Sequence, residues 1–155
     1  TAKAAWGKTD TPYTTSVSLV VALNEALKMM KAEGLENIFN YSSKLADGIR
    51  AAAKALGLKL FADVLCASDA ITAICVPAGI DGEKLVKTMR DAYGVTIAGG
   101  QAELKGKVFR IATMGYINEF DIILCLSCLE KVLFQMVYKF QLGAGVKAAQ
   151  EVFLK

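Results

Sequence analysis

The segment Lys107–Gly115 is the sequence feature that most constrains the fold, because it is a strand-like run with a charge at its centre. Its apolar residues suit a buried, pleated strand: Val108, Phe109, Ile111 and Met114. Arg110 stands among them as one of three arginines in the 155 residues. A guanidinium keeps its charge, so burying it unpaired is prohibitively costly, and a carboxylate matches its planar fork.

Two interpretations of Arg110 stay open on the residues alone. The guanidinium could form a structural ion pair with one of the fifteen acidic side chains of the chain. Alternatively, it could hold the carboxylate of a ligand, since the bidentate geometry is the same in both cases. Local spacing does not decide between them.

Composition excludes several classes of function. A length of 155 residues suits one domain with a sizeable core. The net charge of +3 is scattered without a basic run between aromatics, so nucleic acid is not predicted as a partner. Histidine is absent, which removes the commonest neutral-pH base and metal ligand. No metal site is predicted.

The four cysteines are predicted to be reduced core residues of a cytoplasmic protein. Cys125 and Cys128 have the spacing of a zinc or redox pair, but they fall within a helical pattern and have no second such pair. The apolar run Ile122–Leu126 is too short to span a bilayer, and no secretory signal is recognised. We therefore predict no association with a membrane.

The mean hydropathy of +0.39 is high for a domain of this kind. A small domain of such high hydropathy typically has an apolar face that packs against another domain or subunit. The chain also begins at Thr1 rather than at a methionine. Both features suggest part of a larger protein.

Hydrophobic periodicity and glycine punctuation predict five helices and up to four short strands. The helices fall near residues 16–33, 35–56, 82–93, 118–136 and 146–153, and the strands near 58–61, 70–76, 95–98 and 107–114. This order predicts an α+β fold, a two-layer sandwich with helices on a small, mostly antiparallel sheet of three or four strands. Because the strand at 70–76 is apolar at nearly every position, both of its faces should be covered.

The second helix is predicted to bury one stripe and to expose the opposite one. The buried stripe includes Tyr41 and Leu45, whereas the exposed stripe carries Lys44, Asp47 and Arg50. Short-range signals also mark two helix starts: Asp81 should cap the third helix, and Asn118 should start the fourth.

Two further segments have alternative interpretations. Thr14, Thr15 or Ser16 should cap the first helix, although hydroxyls at a helix N-terminus can also bind an anion. Gly99-Gly100 follows an apolar strand pattern, and two adjacent glycines permit either a tight turn or the close approach of a ligand.

Five motifs, in order, resemble the C-terminal part of the class V aminotransferases, in the serine–pyruvate/alanine–glyoxylate branch. Proteins named soluble hydrogenase small (tritium-exchange) subunits share the pattern. The motifs are Thr11-Pro12-Tyr13-Thr14, Glu33-Gly34-Leu35-Glu36-Asn37, Val76-Pro77-Ala78-Gly79, Ile97-Ala98-Gly99-Gly100, and Lys107-Val108-Phe109-Arg110-Ile111 with Met114-Gly115. The resemblance covers the chain from about Thr11 to its end.

The resemblance implies a fold-type-I enzyme that uses pyridoxal phosphate (PLP) and is a homodimer. Residues 1–14 would be an extended arm at the end of the large domain, and residues 15–155 the small C-terminal domain. Arg110 matches the arginine that binds the substrate α-carboxylate, and Thr14 matches a threonine that reaches the cofactor phosphate of the second subunit. Thr11 occupies a second phosphate-contacting position, which is usually aromatic.

The resemblance also implies that the catalytic machinery lies elsewhere. The family's Schiff-base lysine and the aspartate that pairs with the pyridine nitrogen belong to the large domain, so no catalytic residue is assigned to this chain, and as an isolated fragment it should be inactive. The substrates implied are a small amino acid, such as alanine or serine, and a 2-oxo acid, such as glyoxylate or pyruvate. The large domain of the same protein and a second subunit would be its partners.

Other functions remain open on the sequence. The same fold could serve as a soluble hydrogenase small subunit, a desulfurase or a lyase. A non-catalytic α+β module for interaction or ligand binding, with Arg110 in a structural ion pair, is a further alternative. The family's Ala-His or Gly-His after the Arg-Ile pair is replaced here by Ala112-Thr113, so the resemblance does not fix the substrate.

Overall fold

The computed structural model describes residues 13–155. In chain order the helices are α1 (Val17–Glu33), α2 (Leu35–Ala55), α3 (Gly82–Tyr93), α4 (Glu119–Gln135) and α5 (Ala144–Phe153). The strands are β1 (Ile71–Cys75), β2 (Ala98–Gly99) and β3 (Val108–Ala112), and short 3-10 turns cover Val64–Cys66 and Ala102–Leu104. The chain divides into two compact units, at residues 39 and 40.

The first unit contains α1 and the start of α2. No residue of α1 is buried, and its apolar side chains are exposed along the whole helix. Gly34, with φ of +89°, separates α1 from α2, and its N–H bonds the Met30 carbonyl at 3.0 Å. The left-handed φ explains why a glycine stands here.

The second unit is built on an antiparallel sheet in the order β1-β3-β2. The register places Ala73 opposite Arg110 on one side of β3 and Ala98 opposite Arg110 on the other. One sheet face carries the fully buried Ile74 and Phe109. On the opposite face, Arg110 and its neighbours are partly or fully exposed to solvent at most positions.

The core lies between this buried sheet face and the helices of the second unit. Large residues with less than 2% exposure define it: Phe109, Ile49, Ile74, Leu85, Met89, Leu126, Leu129, Val132 and Leu133. Burial of several such side chains, each contributing about 1.5–3 kcal/mol, is the main stabilising contribution expected here.

Local side-chain caps set two of the helix starts. Asp81 accepts the N–H groups of Glu83 and Lys84 at 3.0 Å, and Gly94 ends α3 in the left-handed conformation. Asn118 and Asp121 form a capping box at the start of α4. Both starts were predicted from the sequence, and both are confirmed.

The predicted α+β class, with helices on a small antiparallel sheet, is confirmed. Some boundaries differ. Residues 58–61 contribute one isolated bridge, Leu60 to Ile74, rather than a strand. The strand predicted at 95–98 is instead Ala98–Gly99, because pairing to β3 and not local apolarity decides which residues are extended. α5 begins at Ala144, two residues before the predicted start at 146.

Burial corrects three further predictions. Tyr41 is 42% exposed in the described chain, although its helical stripe predicted burial. Arg50 was predicted to be solvated, but its side chain is 13% exposed and bonds Asp47 and Asp69. Cys66 is exposed rather than in the core, whereas Cys125 and Cys128 are buried.

The two faces of β1 are covered to different extents. Thr72 and Ile74 are buried, while Ile71, Ala73 and Cys75 are half-buried, so the described residues cover one face of β1 fully and the other in part.

Among residues 13–155, no helix has the length and apolarity needed to cross a membrane.

Candidate functional site

Arg110 lies at the centre of β3 with its guanidinium held by the neighbouring strand. Its Nε and Nη2 groups both donate to the carbonyl oxygen of Gly99, at 3.1 and 2.9 Å. Pairing of β2 with β3 fixes where that carbonyl lies. The side chain is half-buried. One edge of the guanidinium is occupied by a neutral carbonyl group, so the positive charge of Arg110 is not cancelled.

No acidic side chain of residues 13–155 lies within 4.0 Å of the Arg110 guanidinium. The arginine ion pairs of this part of the chain are those of Arg50, with Asp47 and Asp69, and of Arg90, with Asp91. The alternative of a structural ion pair for Arg110 therefore finds no partner among the described residues. The charge is left for a group outside them.

A groove of about 470 Å³ opens beside Arg110. It lies between β2, the end of β3 and the first turns of α4, and its lining is mostly aliphatic, with Ile71, Ile97 and Ile122 among the residues. Arg110 and Asp121 are the charged side chains among the described lining residues. An apolar groove with one fixed cation suits a small molecule that carries a carboxylate.

Asp121 is held at the rim of the groove by the start of α4. Its Oδ2 accepts the backbone N–H of Asn118 at 2.9 Å, which closes the capping box. The sequence contains the pattern, an asparagine followed three residues later by an acid, but the capping role alone gave no reason to place Asp121 beside Arg110.

Cys125 also lines the groove. Burial, with the neighbouring Cys128 as a smaller cause, raises the pKa of the Cys125 thiol to about 12. It is therefore protonated at neutral pH, and a protonated thiol is a poor nucleophile. Residues 13–155 contain no group of three or more His, Cys, Asp or Glu side chains that could hold a metal ion.

The Gly99-Gly100 pair is explained by contact between backbone segments. The N–H of Gly100 bonds the Val108 carbonyl at 2.9 Å. A Cβ on Gly100 would overlap the Leu104 carbonyl, whereas a Cβ on Gly99 would meet nothing closer than the Val86 side chain at 3.9 Å. Position 100 therefore requires glycine, whereas position 99 has room for a larger residue.

Thr14 lies just before α1 and is exposed. The N-cap residue of α1 is Ser16, and its side chain makes no capping hydrogen bond. The first turn of α1 contains no acidic residue. Thr11 lies outside the described residues. Thr14 belongs to the first unit and Arg110 to the second.

One network near the site was missed by the sequence reasoning. The hydroxyl of Thr113, just after β3, donates to the carbonyl oxygen of Asp69, and the Asp69 carboxylate bonds Arg50 at 2.7 Å. These contacts join residues 44 and 19 positions apart. No local pattern signals such pairs.

Comparison with known proteins gives a consistent family. No family model matches the chain. The chain is 44% identical over 150 residues to the soluble hydrogenase 42 kDa subunit of Anabaena cylindrica, covering 96% of this chain and 39% of that protein. It is 39% identical over 145 residues to the serine–glyoxylate aminotransferase of Hyphomicrobium methylovorum, covering 93% of this chain and 36% of that protein.

Structure comparison agrees. The crystal structure of ureidoglycine–glyoxylate aminotransferase from Bacillus subtilis matches 94% of this chain and 37% of its own with a TM-score of 0.86, at 32% identity. The chain belongs to the class V aminotransferases and matches their C-terminal part. It spans less than two fifths of the length of the curated relatives named above.

The family assignment confirms the fold predicted from the sequence motifs. In a class V aminotransferase, the described sheet with its helices is the C-terminal α+β domain. The boundary between an arm at 1–14 and a domain at 15–155 stays a prediction, as do the roles of Arg110, Thr14 and Thr11.

Proposed function

We propose that this chain is the substrate-carboxylate-binding C-terminal domain of a PLP-dependent aminotransferase. The enzyme would transfer an amino group between a small amino acid, such as alanine or serine, and a 2-oxo acid, such as glyoxylate or pyruvate. The observation that carries the proposal is Arg110, whose charge faces an aliphatic groove and meets no carboxylate among the described residues.

Arg110 has the right chemistry for both substrates. An amino acid and its 2-oxo acid share an α-carboxylate, so one bidentate cation serves both half-reactions. The groove is aliphatic around the guanidinium, and low polarity strengthens an ion pair that remains hydrogen-bonded. The role of Arg110 is to bind and orient the substrate, while bond cleavage depends on groups outside this chain.

The start of α1 fits the phosphate of PLP in its donor chemistry. It offers the outward N–H groups of a helix N-terminus beside the exposed Thr14, with no acidic side chain in the first turn to repel an anion. Thr14 would bind the phosphate of the cofactor held by a second subunit, with Thr11 as a second contact. PLP, when bound, supplies the electron sink for reactions at the substrate α-carbon.

The remaining catalytic groups would lie in parts of the enzyme outside the C-terminal region that this chain matches. The cofactor-binding lysine and the aspartate at the pyridine nitrogen would come from the large domain, and the active enzyme would be a homodimer. A cytoplasmic location is part of the same proposal. This chain alone would therefore have no transaminase activity.

A second candidate function rests on one observation. The relative at 44% identity is named a soluble hydrogenase subunit, and a fold can serve more than one activity. Turnover separates the candidates, because an aminotransferase converts alanine or serine with glyoxylate in the absence of any redox partner. A full-length protein that turns over hydrogen and no amino acid would favour the second candidate.

The test of the proposal is Arg110→Lys in the full-length protein. A lysine is a point charge and cannot reproduce the two parallel N–H bonds, so kcat/KM for the amino acid should fall about ten- to a hundredfold. Arg90→Lys is the matched control, because Arg90 is 58% exposed and pairs with the adjacent Asp91. Melting temperature is measured alongside: loss of stability with unchanged kinetics would assign Arg110 a structural role.

A further inference from the structure

The Arg110 guanidinium is oriented by the backbone. A guanidinium has five N–H bonds, and two of them, on Nε and Nη2, are directed at the Gly99 carbonyl oxygen. One pair of parallel N–H groups remains for a ligand: one N–H on Nη1 and the second N–H on Nη2. A carboxylate can then be bound in bidentate fashion only at this end of the side chain.

The position of the Gly99 carbonyl depends on its neighbour. Gly100 bonds Val108 through its N–H at 2.9 Å, and its α-carbon lies against the Leu104 carbonyl, where a Cβ would overlap backbone atoms. The Leu104 segment is itself closed by the bonds of Leu104 N–H to the Gln101 carbonyl and of Lys107 N–H to the Leu104 carbonyl, at 2.9 and 3.0 Å. Since this turn is internally bonded, a side chain at position 100 would displace β2 as well as the turn.

We propose that the Gly99 carbonyl is a positioning group for substrate binding, and that Gly100 is the residue that makes its placement possible. This inference rests on the proposed function of Arg110. The carbonyl restricts the guanidinium to one orientation before the substrate arrives, so less rotamer freedom is lost when the carboxylate binds. It does so without neutralising the charge that the carboxylate needs.

Two glycines without room for a Cβ, Gly100 after β2 and Gly145 in α5, provide a matched pair of variants in the full-length enzyme. Gly100→Ala should raise KM for both the amino acid and the 2-oxo acid about tenfold, with a smaller change in kcat. Gly145→Ala should leave KM within about twofold, because its Cβ would crowd the Leu56 and Glu130 side chains at the start of α5 and not β2. Equal effects of the two substitutions would overturn the inference.

A double-mutant cycle with Arg110→Lys separates positioning from general damage to β2. If Gly100 acts through the guanidinium, Gly100→Ala should have little further effect on KM once Arg110 is a lysine, because a single ammonium cannot make the two bonds. Additive losses would show that Gly100 is merely structural. Absence of amino-group transfer by the wild-type enzyme would instead contradict the proposed function itself, and this inference with it.

A measurement on the wild-type enzyme covers the case in which Gly100→Ala does not fold. In protein labelled with ¹⁵N-arginine, the Nε–H signal of Arg110, identified by its loss in Arg110→Lys, should be protected from solvent exchange. It should shift less than the Nη signals when glyoxylate is added. An Nε–H that exchanges as fast as that of Arg90, or that shifts most with glyoxylate, would overturn the proposed orientation.

Discussion

The guanidinium of Arg50 in α2 bonds the carboxylate of Asp69 at 2.7 Å and ties the C-terminal part of α2 to the segment that leads into β1. Burial opposes the charge of Arg50, but hydrogen bonds to Asp69 and Asp47 outweigh it and raise the pKa of Arg50. The backbone carbonyl of Asp69 also accepts the Thr113 hydroxyl at the end of β3. One residue thus links α2 to the start of β1 and the end of β3.

We expect Asp69→Asn to lower the free energy of unfolding by about 1 kcal/mol at low salt and by less in 1 M NaCl. The carboxylate is 45% exposed, so solvent and salt screen the pair. Asp47→Asn is the control, because it removes a carboxylate from the same guanidinium but is 58% exposed and lies on the same helix. Urea unfolding checks both variants, and equal losses would contradict a specific role for Asp69.

Glu130 of α4 is 3% exposed and caps α5 from a distance. Its carboxylate accepts the N–H groups of Gly143, Gly145 and Val146, at 2.5, 3.0 and 3.0 Å. Free N–H groups at a helix start favour a negative charge, which compensates for the burial of the carboxylate.

Glu130→Gln should therefore destabilise the chain by about 2–3 kcal/mol, because the amide group turns a donor toward N–H groups that need an acceptor. Glu151→Gln on α5 is the matched control; that carboxylate is 62% exposed and lies 3.8 Å from Lys147, and the change should cost less than about 0.5 kcal/mol. Urea unfolding of the two variants measures the difference. A small effect of Glu130→Gln would mean that water replaces the lost contacts.

The pKa of Cys125, raised by burial to about 12, has a consequence for alkaline stability. The pKa of the thiol in the unfolded chain is near 9.0. Between pH 9 and pH 12 the native state therefore keeps a proton on Cys125 that the unfolded state has lost. Stability from this group is fully present below pH 9 and declines as the pH rises toward 12, by up to about 1.4 kcal/mol per pH unit.

Cys125→Ala removes this dependence and leaves a constant loss from the smaller side chain. The difference in unfolding free energy between wild type and variant should therefore shrink from pH 8.5 to pH 10.5. A difference that stays constant across that range would show that the Cys125 thiol ionises in the native state as it does when unfolded.

Prediction from sequence succeeded where the deciding interaction is local. The starts of α3 and α4 depend on Asp81 and Asn118, whose side chains bond N–H groups two and three residues away. Such contacts are encoded in short patterns. The α+β class followed from the alternation of helical and strand periods, which each segment carries by itself.

Prediction failed where a distant partner decides. β2 lies at Ala98–Gly99 because those residues pair with β3, although the apolar residues before them are better strand formers. At the candidate site, the sequence singled out Arg110 and the Gly-Gly pair separately. Only the register, with Ala98 and Arg110 paired, brings the Gly99 carbonyl to the guanidinium.

Thr14→Ala in the full-length protein should weaken PLP binding about five- to tenfold, the loss expected for one hydrogen bond to a phosphate. The melting temperature of the cofactor-free protein should not change, because Ser16 and not Thr14 is the N-cap of α1. Thr88→Ala, which removes a hydroxyl bonded to the Lys84 carbonyl in α3, is the control. Unchanged PLP affinity in Thr14→Ala would leave Thr14 without a cofactor role.

The last prediction concerns the 155 residues expressed alone, which should fold, self-associate and lack transaminase activity. Folding is expected because the buried hydrophobic core, from Leu45 to Phe153, lies within residues 40–155. Self-association is expected because α1 buries none of its residues, and Leu23 and Leu27 are 60% and 54% exposed. A chain of residues 40–155 should keep its cooperative unfolding and associate less in sedimentation experiments.

Inactivity is expected under the proposed function. Amino-group transfer needs a lysine that binds PLP covalently and moves a proton at the substrate α-carbon, and the proposal places that lysine in the large domain. Histidine is absent from the sequence as an alternative base. Borohydride reduction in the presence of PLP, followed by peptide mapping, should give substoichiometric labelling spread over exposed lysines. One lysine labelled at full stoichiometry, with turnover of alanine and glyoxylate by the 155 residues, would contradict the assignment of this chain as a substrate-binding domain.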